Sequence, residues 1–158
     1  MGTTTFTGPI KAGPILNTSG NTVGTDVADV GYCLMSQSSP VTQAASAGQA
    51  AGVFATDIVI PAYSQVVSIT VYSTVAWNGA ATTFNVGTSA TGTELAVAAD
   101  NAALPIGITS VNPGADATRV GRWINVGNKD VRIWFKSTNT GAGVGVVVVN
   151  YIQGPNNS

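Results

Sequence analysis

The stretch QVVSITVYSTVAW, residues 65–77, decides the fold class. Val67, Ile69, Val71, Val75 and Trp77 fall on one face of an extended chain, interrupted only by Ser73, while Ser68, Thr70, Tyr72 and Thr74 dominate the other. A period of two marks a long strand with one face in a core and the other wet. Asn78-Gly79 comes at once after it and predicts a tight hairpin, because both residues tolerate positive φ.

Similar runs lie on either side. Phe54, Ile58 and Ile60 alternate before Pro61, which ends its strand because it has no N–H for a ladder. Phe84 and Val86 share a side within residues 82–87, and Leu95 and Val97 mark a weaker run. The alanine-rich residues 96–103 read alternatively as a short helix. Residues 104–111 form a further run, stopped by Asn112-Pro113-Gly114. Residues 119–126 set Val120, Arg122, Ile124 and Val126 against Arg119, Gly121, Trp123 and Asn125, which predicts a strand. Val131, Ile133 and Phe135 mark the next, and residues 144–152 close the series. The unbroken run at 146–149 predicts a strand buried on both faces. About eight short strands at this spacing, with no long helix, predict an all-β chain, a β-sandwich of jelly-roll type.

Residues 1–50 differ from the rest of the chain. They hold three of the seven prolines (Pro9, Pro14, Pro40), many glycines, and apolar residues that come singly or in pairs. Such a segment buries little against itself and reads as an extended arm, with one short strand at GYCLMS, residues 31–36. Phe6, Ile10, Ile15, Leu16 and Tyr32 are anchors that need a pocket, on this domain or on a neighbour. The small-residue stretch QAASAGQAAG, residues 43–52, is the natural boundary. The expected organisation is an arm over 1–50, a sandwich over 51–152 and a tail over 153–158.

Composition narrows the function. Charged residues are only 8% of the 158, far below ordinary soluble domains, so hydroxyls and amides carry the polarity. A net charge of -1 gives copies of the chain little mutual repulsion, which suits life inside a symmetric assembly. Six cationic residues form no basic stripe, so no nucleic-acid partner is expected. Mean hydropathy is positive, at +0.28, yet no apolar run approaches the roughly 18 residues of a spanning helix, and no membrane partner is expected. The N-terminus lacks the charged start and apolar stretch of a secretory signal, and Phe6 breaks the myristoylation pattern that Gly2 opens. Synthesis in a cytoplasm is therefore expected.

The residues of chemistry are sparse. There is no histidine, which removes Ser-His-Asp and Cys-His catalysis and imidazole-based zinc sites. Cys33, the one cysteine, reads as a small core residue. Asp26 and Asp29 are close in sequence but match no calcium loop. Asp57, Glu94, Asp100, Asp116 and Asp130 could supply a hydrolase pair only if two faced each other across a cleft. Trp77 shares its strand's apolar face and reads as core, whereas Trp123 and Trp134 lie opposite the apolar faces of theirs. Those two are read as exposed, as covering a second core, or as a subunit contact, with a glycan platform the further candidate. No catalytic residue, metal site or cofactor is expected.

Three phrases carry a family resemblance. Phe6-Thr7-Gly8-Pro9-Ile10-Lys11-Ala12-Gly13 resembles the start of small structural proteins of tailed bacteriophages. Asp57-Ile58-Val59-Ile60-Pro61-Ala62, followed by a long alternating strand, is similar to the opening of their sandwich domains. Trp77-Asn78-Gly79, TTFNVGT at 82–88 and the terminal Asn150-Tyr151-Ile152 look like their hairpin and closing strand. The resemblance implies a head decoration (cement) protein: a non-enzymatic virion structural protein that binds the major capsid protein on the surface of an icosahedral capsid, as a homotrimer. It assigns capsid binding to the arm, with Phe6, Gly8, Pro9, Ile10, Gly13, Pro14 and Ile15 as the contacting residues. The rival expectation is a head or tail fibre module that binds host-surface glycans through Trp123 and Trp134. An enzyme is the least supported reading.

Overall fold

A computed structural model describes residues 34–79, 82–101 and 104–153. They form seven strands: β1 (Leu34–Thr42), β2 (Val53–Ile60), β3 (Gln65–Val75), β4 (Phe84–Gly87), β5 (Gly107–Ser110), β6 (Val131–Ser137) and β7 (Val144–Ile152). One helix, α1 (Ala117–Ile124), lies between β5 and β6. The strands pair antiparallel in two sheets, ordered β1-β7-β3-β5 and β2-β6-β4. Odd-numbered strands make one sheet and even-numbered strands the other, so every connection crosses between layers. This is a β-sandwich, with one strand fewer among the described residues than the sequence predicts. An isolated bridge from Val86 to Ala96 lies where an eighth strand would flank β4, and the alanine-rich stretch contributes a single 3-10 turn, Ala98–Asp100.

The inward faces meet in one core. Val41, Ile58, Ile60, Ile69, Val71, Phe84, Val86, Ile133, Phe135, Val147, Val149 and Tyr151 are all buried. Phe84 stacks on Phe135 at 5.8 Å, and Trp77 meets Phe84 edge-on at 6.2 Å, so Trp77 is core as expected.

Two expectations about β3 need correction. Its ladder with β7 slips between Val66 and Ser68 and again between Ser73 and Val75. Each slip is a bulge, and an extra residue turns the following side chains to the other face. Val66 is therefore buried in the place expected of Val67, and Val75 is exposed. Asn78-Gly79 makes no hairpin, because β3 and β4 lie in different sheets. Gly79 does take positive φ, at 114°, but within a crossover that Gln43 holds. The buried Gln43 carboxamide donates to the carbonyls of Asn78 (2.6 Å) and Asn139 (3.0 Å) and accepts from Asn78 N–H (2.9 Å).

Residues 119–126 hold a second correction, since α1 takes the place of the predicted strand. Asp116 caps the helix by accepting from Arg119 N–H at 2.9 Å, and Asn125 N–H closes it onto Gly121 O. Val120, Trp123 and Ile124 also have helical spacing, which a period-two reading overlooks. The cap hydrogen bond, helped by the Arg119 charge and opposed by partial desolvation, holds the Asp116 carboxyl below its ordinary value. The run at 146–149 is corrected too: Val147 and Val149 are buried, but Val146 faces outward and is exposed.

β2 is bulged as well. Ala55 pairs with Trp134 and Val59 with Arg132, so two extra residues of β2 lie between these pairs. Side chains supply the partners that the ladder loses. Thr56 Oγ1 donates to Ile133 O (2.7 Å) and accepts from Ile58 N–H (3.2 Å). Ser39 Oγ accepts from Asp57 N–H (3.1 Å). Gln37 accepts from Val59 N–H (3.1 Å) and donates to Val59 O (2.7 Å) and the Tyr151 hydroxyl (2.8 Å). Leu34–Thr42 is thus an edge strand of the sandwich, although it belongs to the stretch that the sequence marks as arm.

Gln37→Leu should lower stability by about 3 kcal/mol, because it leaves both Val59 backbone groups unpaired in a partly buried site. Ser38→Ala, on the outward face beside it, should stay within about 0.5 kcal/mol in the same urea titration. Asp116→Ala should destabilise the fold at neutral pH. Because the native carboxyl is depressed, its contribution is complete above the ordinary value of 3.8 and is lost as pH falls through the native one. The gap between the melting curves of variant and wild type should therefore narrow as the pH falls below 3.8.

Candidate interaction surfaces

The five described acids all have structural partners. Asp100 Oδ2 meets Arg119 Nη2 at 2.9 Å, and the backbone N–H of Arg119 is held by Asp116. Glu94 Oε2 accepts from Thr88 N–H at 2.9 Å. Asp130 Oδ1 accepts from Ala62 N–H at 2.9 Å, tying the turn after β2 to the start of β6. Asp57 lies 3.9 Å from Arg132 on the surface. Arg119 therefore brings Asp100 and Asp116 together, but both serve to fix α1 against the turn at Pro113, whose carbonyl Arg119 Nε also reaches at 2.7 Å. Among the described residues no three of His, Cys, Asp and Glu gather as a metal site would require. No described helix is long and apolar enough to cross a membrane.

The two candidate tryptophans separate. Trp123 lies on the inner side of α1, packs against the core, and donates from Nε1 to Leu95 O at 2.8 Å. It pins the helix to the chain beyond β4, with its ring partly buried. A strand at 119–126 would have set Trp123 opposite Val120 and Ile124; the helix turns it inward instead. Trp134 is half-buried on the outer face of the three-stranded sheet. Its register neighbours are Ala55 and Gly87, both small, and Arg132 and Lys136 flank it along β6 on the same face. Gly92 and Glu94 fill the space beside Gly87, so the ring is partly covered on that side, and the two cations beside it make a surface suited to polar, anionic or aromatic partners.

The expected arm residues Phe6, Gly8, Pro9, Ile10, Gly13, Pro14 and Ile15 lie outside the described residues, as do Cys33, Asp26 and Asp29. Chain order shows where the segment joins: it enters β1 at Leu34, which pairs with Ile152 at one end of the four-stranded sheet. Sequence reading missed the roles of Gln37, Ser39 and Gln43. A glutamine alternating with serines before Pro40 is a weak signal, since only the bulge across the sandwich makes those polar side chains inward partners.

The chain matches no model of a known protein family and no curated protein. Among solved structures it is similar to a chain of the cyanophage Pam1 capsid asymmetric unit, with 16% identity and a TM-score of 0.48, over 85% of this chain and 97% of that one.

Trp123→Ala should cost about 2 kcal/mol, since it removes both a partly buried ring and the bond to Leu95. Trp134→Ala should cost clearly less in the same denaturation experiment, because its ring closes no core.

Proposed function

We propose that the chain is a non-enzymatic virion structural protein that decorates and stabilises an icosahedral phage capsid, attached to the major capsid protein through its N-terminal arm. The observation that carries this reading is the sequence resemblance, now set in a fold. The phrase Asp57-Ile58-Val59-Ile60-Pro61-Ala62 spans the bulged end of β2, where Ser39 and Gln37 cross from β1 to close the sandwich. It is thus a signature of how this sandwich is built. With Ala96 counted beside β4, each sheet holds four strands, and a single hairpin is the exception to alternation between layers. That order supports the jelly-roll reading.

The mechanism is a clamp. An arm with Gly8-Pro9 and Gly13-Pro14 keeps an extended path, and Phe6, Ile10 and Ile15 supply apolar anchors for grooves in the capsid lattice. Ordering such an arm costs conformational entropy, which a homotrimer offsets by presenting three arms at once. Binding the assembled shell and not its separated subunits stabilises the shell by mass action. The protein then resides on the capsid surface of the virion after synthesis in the host cytoplasm.

A second reading has one observation in its favour: Trp134, half-buried on the outer face between Arg132 and Lys136, is a platform for a host glycan. Trp123, the other candidate, packs against the core and bonds Leu95 O.

The purified protein should co-pellet with capsids assembled without it, saturate at copies matching the lattice threefold positions, and raise the capsid melting temperature. The Phe6→Ala, Ile10→Ala double variant should keep its own melting temperature but lose at least tenfold in capsid affinity, about 1.4 kcal/mol. Wild-type protein that stays in the supernatant would sink the proposal. Glycan binding abolished by Trp134→Ala would then favour the second reading.

A further inference from the structure

The outer face of the four-stranded sheet divides into two halves. Inside a terminal row of Leu34, Ile152 and Gln65, the rows toward the Leu34 end read Ser36–Asn150–Ser68 and Ser38–Val148–Thr70–Ser110, largely hydroxyls and amides, although Leu34 and the bulge residue Val67 are exposed at this end too. Asn150 Nδ2 donates to Ser68 Oγ at 2.9 Å within the first of these. Toward the other end, the next row is Pro40–Val146–Tyr72–Ile108, apolar or aromatic across all four strands, and Val144 faces Val75 beyond it. Ile108 is 70% exposed and Ile106, just before β5, is 69% exposed; Tyr72, Val75, Val144 and Val146 lie between 39% and 44%. No charged residue occurs in β1, β3, β5 or β7.

We infer that this apolar half-face is where copies of the chain meet, each covering the patch of a second copy. Three features select that occupant. The six exposed side chains present on the order of 600 Å² of surface, at the upper end of what a monomer keeps open. Two such patches together bury about 1,200 Å², which reaches the range of specific interfaces, whereas one patch on a small ligand does not. The absence of charge matters as much. A face without charges meets its own copy at no cost in repulsion or desolvated ions, while it offers no steering or salt-dependent grip to an unlike partner.

Sheet edges are the remaining route to self-association, and the fold restricts them. On β1, Pro40 has no N–H to offer to a further strand. β5 offers only four residues. Packing is therefore face to face. Tyr72 and Ile108 sit at the centre of the contact, and the serine-rich half lies outside it. This inference rests on the self-association in the proposed function and is independent of capsid attachment.

Sedimentation of the full chain in solution, without capsids, tests it. Wild type should assemble at micromolar concentration. Ile108→Glu should raise the dissociation constant at least tenfold while leaving cooperative melting of the monomer intact, because the side chain is already in water. Should Ile108→Glu fail to fold, Val144→Lys carries the same test. Ser38→Glu, in the polar half, should leave assembly unchanged. A wild type that remains monomeric at about 100 µM overturns the inference, including the case where hydrogen exchange finds the patch covered by residues 1–33 of the same chain. So does assembly indifferent to both patch variants. Assembly in solution without capsid binding would instead sink the capsid reading and leave this one standing.

Discussion

The sandwich depends on how it closes between β1 and β2. Two sheets packed face to face leave an open side, and here β2 carries two extra residues that break its ladder with β6. Unpaired backbone groups in a partly buried site would each cost about 1–3 kcal/mol. Gln37, Ser39 and Thr56 remove that cost by acting as substitutes for a neighbouring strand. The bonds of Gln37 and Ser39 run from one sheet to the other, so they set the spacing of the layers as well as satisfying the bulge. Tyr151 joins the same network through its hydroxyl while its ring sits in the core. Gln43 does equivalent work at the opposite end of β1, where it locks the crossover at Asn78.

Those ties also explain which parts of the fold were legible in the sequence. Alternation in β3 and β6, with the apolar run of β7, was enough to establish strands and a sandwich, because a half-buried strand imposes period two on its side chains. The face of β3 was readable only between its bulges, at Ile69 and Val71; on either side an extra residue reversed the assignment of Val67 and Val75. Helix α1 was misread because eight residues contain too few turns for one period to defeat the other. Asp116 was the deciding signal: a cap fixes the first turn before any pattern can. The same error displaced Trp123, which a strand would have set outside and the helix turns toward Leu95. Glutamine hubs leave no pattern in sequence, since their partners are backbone groups brought near by the fold. The arm motif at Phe6 was legible as a resemblance alone.

Charge is distributed unevenly between the two outer faces. Arg132, Lys136 and Asp57 lie on the three-stranded sheet, around Trp134. The four-stranded sheet has none, and its apolar rows end where its hydroxyl rows begin. A surface with so few charges has little long-range field to orient partners, so contacts must be chosen at short range by shape and by desolvation. Such contacts are insensitive to salt. A face of this kind is reliable only if its relief is fixed, and the β1–β2 ties provide that.

The bulges of β3 follow the same logic. A regular strand through Gln65–Val75 would hold Val67 inward, and Val75 with it, enlarging the core at both ends. The slip between Ser73 and Val75 instead turns Val75 outward beside Val144, next to the row of Val146, Tyr72 and Ile108. Exposing a valine gives up roughly 1.5 kcal/mol or more of burial energy. Inside an isolated domain that is a loss without return. It is recovered once a second copy covers the patch, because the same area then leaves water at the contact. On the inferred contact, the bulge moves apolar surface from the core to an interface and couples the stability of the single chain to its state of assembly.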